Sequence, residues 1–154
     1  MSNIFLIGAT GGVGSRLGPK LVGAGHAVKG LHRKPEQAGD LREHGVEPVY
    51  GNIIDMTADD IASAMTGCDT AIFSAGAAGS GRDKTTAIDG EGPEKLIEAA
   101  RATGVNRIYM VSVIMDAGRD RDTSDDFEHY MAMKRRADAA LATSGIDYVI
   151  LRPG

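Results

Sequence analysis

Short apolar runs alternate along this chain with segments whose apolar residues recur every three or four positions. The runs are "NIFLIG", "AVKGLH", "EPVYG", "TAIFS", "RIYMVSV" and "DYVIL", at residues 3–8, 27–32, 47–51, 70–74, 107–113 and 147–151. Their length and near-continuous apolar character predict buried strands. The helical period covers residues 13–24, 36–44, 58–65, 93–103 and 127–144. The third of these opens on "TADD", where the Thr57 hydroxyl can accept from the helix and Asp60 can bond back to the Thr57 amide. Gly25, Gly45, Gly67, Gly104 and Gly145 close successive units in the manner of helix-terminating glycines.

Strand and helix in regular alternation predict an α/β fold, a doubly wound parallel sheet with helices on both faces. No linker or internal repeat divides residues 1–154, so one domain is expected. A chain of this length buries roughly two-thirds of its unfolded surface. Pro19 falls inside the first helical segment, where it removes a backbone bond and predicts a kink. The sequence ends at "LRPG", directly after a strand, and a missing C-terminal segment is expected.

Between the first strand and the first helix lies "GATGGVG", with Gly8, Gly11 and Gly14 at intervals of three. A strand that turns through G-x-x-G-x-x-G into a helix has a mechanical purpose. The first glycine permits the turn, the second lets backbone approach a pyrophosphate, and the third lets helix pack closely on strand. The phosphates then meet free N–H groups at the positive end of the helix. No G-K-[ST] follows, which disfavours an ATP-type loop. The pattern predicts a dinucleotide site.

The end of the second strand narrows the choice of nucleotide. Sites for NAD usually place Asp or Glu there, on the ribose 2′-hydroxyl. Here the sequence is "GLHRKP", with Arg33 and Lys34 at that corner. A guanidinium forks onto a 2′-phosphate that a carboxylate would repel, so NADPH is favoured over NADH.

Composition narrows the remaining classes. Hydrophobic residues are 42% and charged residues 25%, the balance of a globular domain. Seventeen basic against 21 acidic residues leave a net charge of −4, which gives no footprint for nucleic acid or an anionic membrane. The single Cys68 excludes an internal disulfide and fits a reducing compartment, so a cytoplasmic location is expected. His26, His32 and His44 are scattered without metal-ligand spacing. The acidic run Asp120, Asp122, Asp125, Asp126 and Glu128 lacks calcium-loop spacing and reads as a solvated loop positioned to act as a lid.

After the fifth strand comes "HYMAMKRRAD". Tyr130 and Lys134 are i and i+4, on one face of a helix, while His129 points about 100° away from Tyr130. A phenol titrates near pH 10, and an adjacent ammonium favours its ionised form and brings it toward a catalytic range. The lysine can also bond the nicotinamide ribose.

Together "IGATGGVG", "GNIID", "FSAGA", "GVNRIYMVSV" and "HYMAMKRRADAALATSGIDYVILRPG" resemble the atypical short-chain dehydrogenase/reductase family. The similarity is to its single-domain NAD(P)-binding branch, related to NmrA-like and to flavin-reductase and biliverdin-reductase-B-like proteins, and covers essentially the whole chain. The resemblance implies that Gly8, Thr10, Gly11, Gly12, Val13 and Gly14 form the pyrophosphate turn and that Arg33 reads the 2′-phosphate. It places Asn52 and Ile53 against the adenine, where relatives have Asp-Val or Asp-Leu. It places Ser74, Ala75 and Gly76 along the cofactor, Ser112 beside the nicotinamide, and Pro153 where backbone meets the carboxamide. Tyr130 and Lys134 match the catalytic pair. Relatives often read V-S-S after the fifth strand, whereas this chain has Val113 in the second serine position, and valine donates no hydrogen bond.

Two functions follow. One is an NADPH-dependent oxidoreductase passing hydride to a small carbonyl, quinone or flavin. The other is a non-catalytic NADP(H) sensor that reports to a protein partner, a reading that the valine favours. An epimerase or dehydratase needs a larger C-terminal substrate region and ranks third.

Overall fold

In the computed structural model all residues are described except Arg119, Asp122 and Thr123. Six strands form one sheet: β1 (Asn3–Ile7), β2 (Ala27–His32), β3 (Glu47–Tyr50), β4 (Thr70–Phe73), β5 (Arg107–Val111) and β6 (Asp147–Leu151). The order is β3-β2-β1-β4-β5-β6, and every pairing is parallel. The expected doubly wound α/β fold is the one observed. Its strand order reverses between β1 and β4, and a crevice opens there at the carboxyl ends of the strands.

Alternate residues of each strand divide the core in two. Phe5, Ile7, Phe73, Ile108 and Met110 point to one face, where α3 (Ala58–Ala64), α5 (Glu91–Arg101) and α6 (Asp125–Ala142) bring Ile61, Leu96 and Leu141. Ile4, Leu6, Val28 and Ile72 point to the other, where Leu17 and Leu21 of α1 (Gly14–Gly23) and Leu41 of α2 (Ala38–Glu43) meet them. Cys68 lies in the first of these cores, and burial pushes its thiol pKa up.

The local signals mostly act as the sequence predicts. Thr57 caps α3 by accepting from Asp60 N, while Asp60 returns a bond to the Thr57 amide. Pro19 stands inside α1 without ending it. Gly25, Gly45, Gly67 and Gly145 adopt positive φ beyond their helices, but Gly104 does not. At the end of α5 Thr103 donates to the Ala100 carbonyl with both its amide and its hydroxyl.

Where β4 begins, Asp69 ties two strands together. Its carboxylate accepts from Asn3 N at 2.9 Å and from the Thr70 hydroxyl at 2.7 Å, and these bonds hold its pKa below the usual carboxylate range. A depressed folded pKa contributes stability that is fully present above the unfolded value and is lost as pH falls through the folded one. Replacing Asp69 with asparagine should therefore flatten the acid limb of a stability–pH curve below about pH 4. Denaturant unfolding at pH 3 to 6 checks this, and parallel curves for the two proteins would refute it.

Candidate functional site

The crevice at the strand reversal is a single cleft of about 850 Å³. Gly8, Thr10, Gly11, Gly12, Val13, Arg33, Asn52, Ile53, Ser74, Ala75, Gly76, Ser112, Tyr130 and Lys134 all line it. Residues from six separate segments thus meet in one place. Of the other residues singled out from the sequence, Gly14 is buried beneath the turn, and Lys34 and Pro153 are exposed outside the cleft wall.

The glycine turn has a steric basis. Gly8 has φ +88°, and a Cβ there would lie 2.6 Å from Ala75 N and 2.7 Å from Ser74 C. That contact packs the end of β1 directly on the loop after β4, where Ser74 Oγ donates to Ile7 O at 3.0 Å. A Cβ on Gly14 would lie 1.9 Å from Gly8 O, so the helix start must be glycine to sit on the turn. A Cβ on Gly11 or Gly12 would make only ordinary contacts, with Gly8 O at 3.4 Å and Arg16 Nη1 at 3.9 Å. Val13 precedes α1 with no side-chain cap, and among the described residues the amides of Gly12, Val13 and Gly14 donate to no group of the chain. Uncapped amides at a helix start with room before them fit a pyrophosphate.

At the β2 corner Arg33 is exposed and has no ion-pair or hydrogen-bond partner among the described residues. At the neighbouring end of β3 Asn52 Oδ1 accepts from Ile54 N at 3.0 Å. An aspartate would make the same bond, so the asparagine keeps the local turn. The following carbonyls of Ile53, Ile54 and Met56 all accept from Lys95 Nζ, at 2.5, 3.3 and 2.8 Å. Three donors on one ammonium thus hold this wall in place.

The far end of the cleft carries the Tyr130–Lys134 pair on α6. The Lys134 ammonium lies 5.5 Å from the centre of the Tyr130 ring, over its face. It also meets Asp89 Oδ1 at 2.9 Å, in a pair whose side chains are 9% and 0% exposed. The contact is a buried ion pair. The other Asp89 oxygen accepts from Ala77 N at 3.0 Å. The lysine charge is therefore balanced by a buried carboxylate.

Asp89 is the functional residue that sequence reasoning missed. It sits on a π-helical turn, Thr86–Gly90, between α4 (Arg82–Thr85) and α5. The signal available was one of two carboxylates in "TAIDGEG", too weak to separate from loop acids. In the same turn the Thr86 hydroxyl meets His129 Nε2 at 2.8 Å, fixing this segment to α6 next to Tyr130.

Ser112 is buried, and its hydroxyl donates to Asp138 Oδ1 at 2.7 Å. Asp138 Oδ2 pairs with Arg152 Nη2 at 2.9 Å. The serine hydroxyl is thus committed to α6, while Val113 follows it. Of the acidic run, Asp122 lies outside the described residues, and Asp125, Asp126 and Glu128 form the first turn of α6 behind the Ser124 cap.

A family model described as NAD(P)H-binding matches residues 8–154. The chain belongs to this family. It is 39% identical over 153 residues to the uncharacterized sugar epimerase YhfK of Bacillus subtilis, covering 98% of this chain and 71% of that one. Among solved structures it superposes on the oxidoreductase ylbE of Lactococcus lactis with a TM-score of 0.82 and 28% identity, covering 99% of this chain and 68% of that one. ChuY, an anaerobillin reductase of Escherichia coli O157:H7, matches with a TM-score of 0.78 and 27% identity, covering 99% and 73%. The resemblance to atypical short-chain dehydrogenases/reductases read from the motifs is borne out. No helix among the described residues is long and apolar enough to cross a membrane.

Proposed function

We propose that this protein is an NADPH-dependent reductase that delivers hydride to a small carbonyl, quinone or flavin acceptor. The observation that carries the reading is the continuity of the cleft, from the glycine turn and Arg33 at one end to Tyr130 and Lys134 at the other. The reductase activity named for ChuY, a relative by structure, supports it.

When bound, NADPH supplies the hydride. Gly12, Val13 and Gly14 would hold its pyrophosphate through their amides, and Arg33 its 2′-phosphate. Asn52 and Ile53 would flank the adenine. Tyr130 holds the proton that neutralises the reduced acceptor. Lys134, kept in place by Asp89, fixes the ring face of Tyr130 and offers its remaining protons to the ribose. Ser112 is turned toward Asp138 and shapes the wall rather than polarising the substrate.

The test is turnover of NADPH with aldehyde, quinone and flavin acceptors. Tyr130→Phe removes only the proton donor, and kcat with a carbonyl acceptor should fall about 10²–10⁴-fold at unchanged cofactor affinity. Unchanged kcat would remove Tyr130 from the mechanism. The commitment of Ser112 to Asp138 favours a second reading, a cofactor-dependent sensor. Partner binding that follows NADPH against NADP⁺, with no turnover of any acceptor, would establish that reading instead.

A further inference from the structure

Besides Arg33, the cleft wall at the β2 corner carries a second polar side chain. Gln37 lines the cleft beside Arg33 and is half-buried. It belongs to a short 3-10 turn, Pro35–Gln37, which the Pro35 ring restricts at its start.

A carboxamide offers one acceptor oxygen and two N–H donors. Lys34 N donates to the Gln37 side chain at 3.1 Å. A backbone amide only donates, so the atom it meets must be Oε1. The orientation of the amide is thereby fixed by chemistry, and Nε2 is the end left free of the backbone.

The frame behind it is rigid. Gln37 N donates to Lys34 O at 3.0 Å, and His32 Nδ1 meets the same carbonyl at 2.9 Å. A carbonyl only accepts, so Nδ1 carries the proton. His32 is buried, with its ring edge against Tyr50 at 5.8 Å between centres.

We propose that Gln37 is a specificity-determining residue of the nucleotide site, its Nε2 donating to the 2′-phosphate beside Arg33. The assignment rests on the NADPH reading above. Two N–H donors and a guanidinium suit an acceptor-rich phosphate. NAD sites usually supply a carboxylate to the ribose 2′-hydroxyl there, and the carboxylate of this turn, Glu36, does not line the cleft.

Gln37→Glu isolates the idea. Glutamate at this position still accepts from Lys34 N, a favoured arrangement at the third residue of such a turn. Only the free end changes, from a donor pair to an anionic acceptor. Titrating NADPH and NADH into wild type and Gln37→Glu, with apo-protein melting alongside, should show equal melting and at least a tenfold fall in the NADPH:NADH affinity ratio, since a bond to a charged partner is replaced by repulsion.

A wild type that prefers NADPH and a Gln37→Glu variant with the same preference would overturn the proposal, because a carboxylate in place of a phosphate donor cannot leave the preference intact. A wild type with no NADPH preference would instead refute the NADPH reading, and the role of Gln37 with it. Gln37→Met gives a second arm. It should lose NADPH preference by several-fold and also lower the melting temperature, since Lys34 N then has no acceptor.

Discussion

Replacing Gly14 with alanine should cost the fold about 3 kcal/mol or more and abolish measurable binding of either nicotinamide nucleotide. The added Cβ would lie 1.9 Å from Gly8 O, 2.7 Å from Gly8 C and 2.8 Å from Ala9 Cα. All three are backbone atoms, so no side chain can swing aside. Either α1 withdraws from the turn or the turn opens. Each outcome exposes core, because Leu17 and Leu21 of α1 pack on the sheet through this contact. Each also displaces the amides of Gly12 and Val13. For a domain of this size, about 3 kcal/mol lowers the melting temperature by roughly 6–12 °C. Thermal unfolding checks the first effect and nucleotide titration the second. A Gly14→Ala protein that melts like wild type would show that the turn is loose.

The second large effect lies at the other end of the cleft. Asp89→Ala should destabilise the protein by about 3–5 kcal/mol, because it strands the Lys134 ammonium in a site where the lysine side chain is 9% exposed. It also removes the acceptor for Ala77 N. Breaking such a pair costs far more than never having had it. The double substitution Asp89→Leu with Lys134→Met should therefore recover most of the stability while leaving the site without its lysine. Denaturant unfolding of both variants distinguishes a charge effect from a packing effect. Equal losses in the two would show that packing around Asp89, not the unpaired charge, sets the cost.

Much of this architecture is legible in the sequence because its signals are local. The apolar runs that predict the six strands match those observed to within two residues at their ends. The glycine spacing, Arg33 and the Tyr130–Lys134 interval also led to residues that the fold brings to one cleft. What was not legible depends on long-range packing. The segment from Arg82 to Gly90 carries Gly81, Gly90 and Gly92 in or beside it and so reads as loop. Yet Gly92 is there because a Cβ would lie 2.8 Å from Phe73 Cζ, a demand made by a strand 19 residues away. Likewise α6 begins two residues before its apolar pattern, since Ser124 accepts from Phe127 N and Asp125 and Asp126 suit the positive end of the helix. Ser112 was singled out by position alone. Its partner Asp138 lies 26 residues on, and no local pattern reveals that its hydroxyl is spoken for.

The most direct test of the account is a titration of NADPH and NADH, followed by the fluorescence of the cofactor itself, on wild type and Arg33→Ala. The chain contains no tryptophan, so the protein background is low. Wild type should bind NADPH the more tightly, and removing the guanidinium should weaken NADPH by about tenfold or more while leaving NADH unchanged. Equal affinities in wild type, or a preference that survives Arg33→Ala, would contradict it.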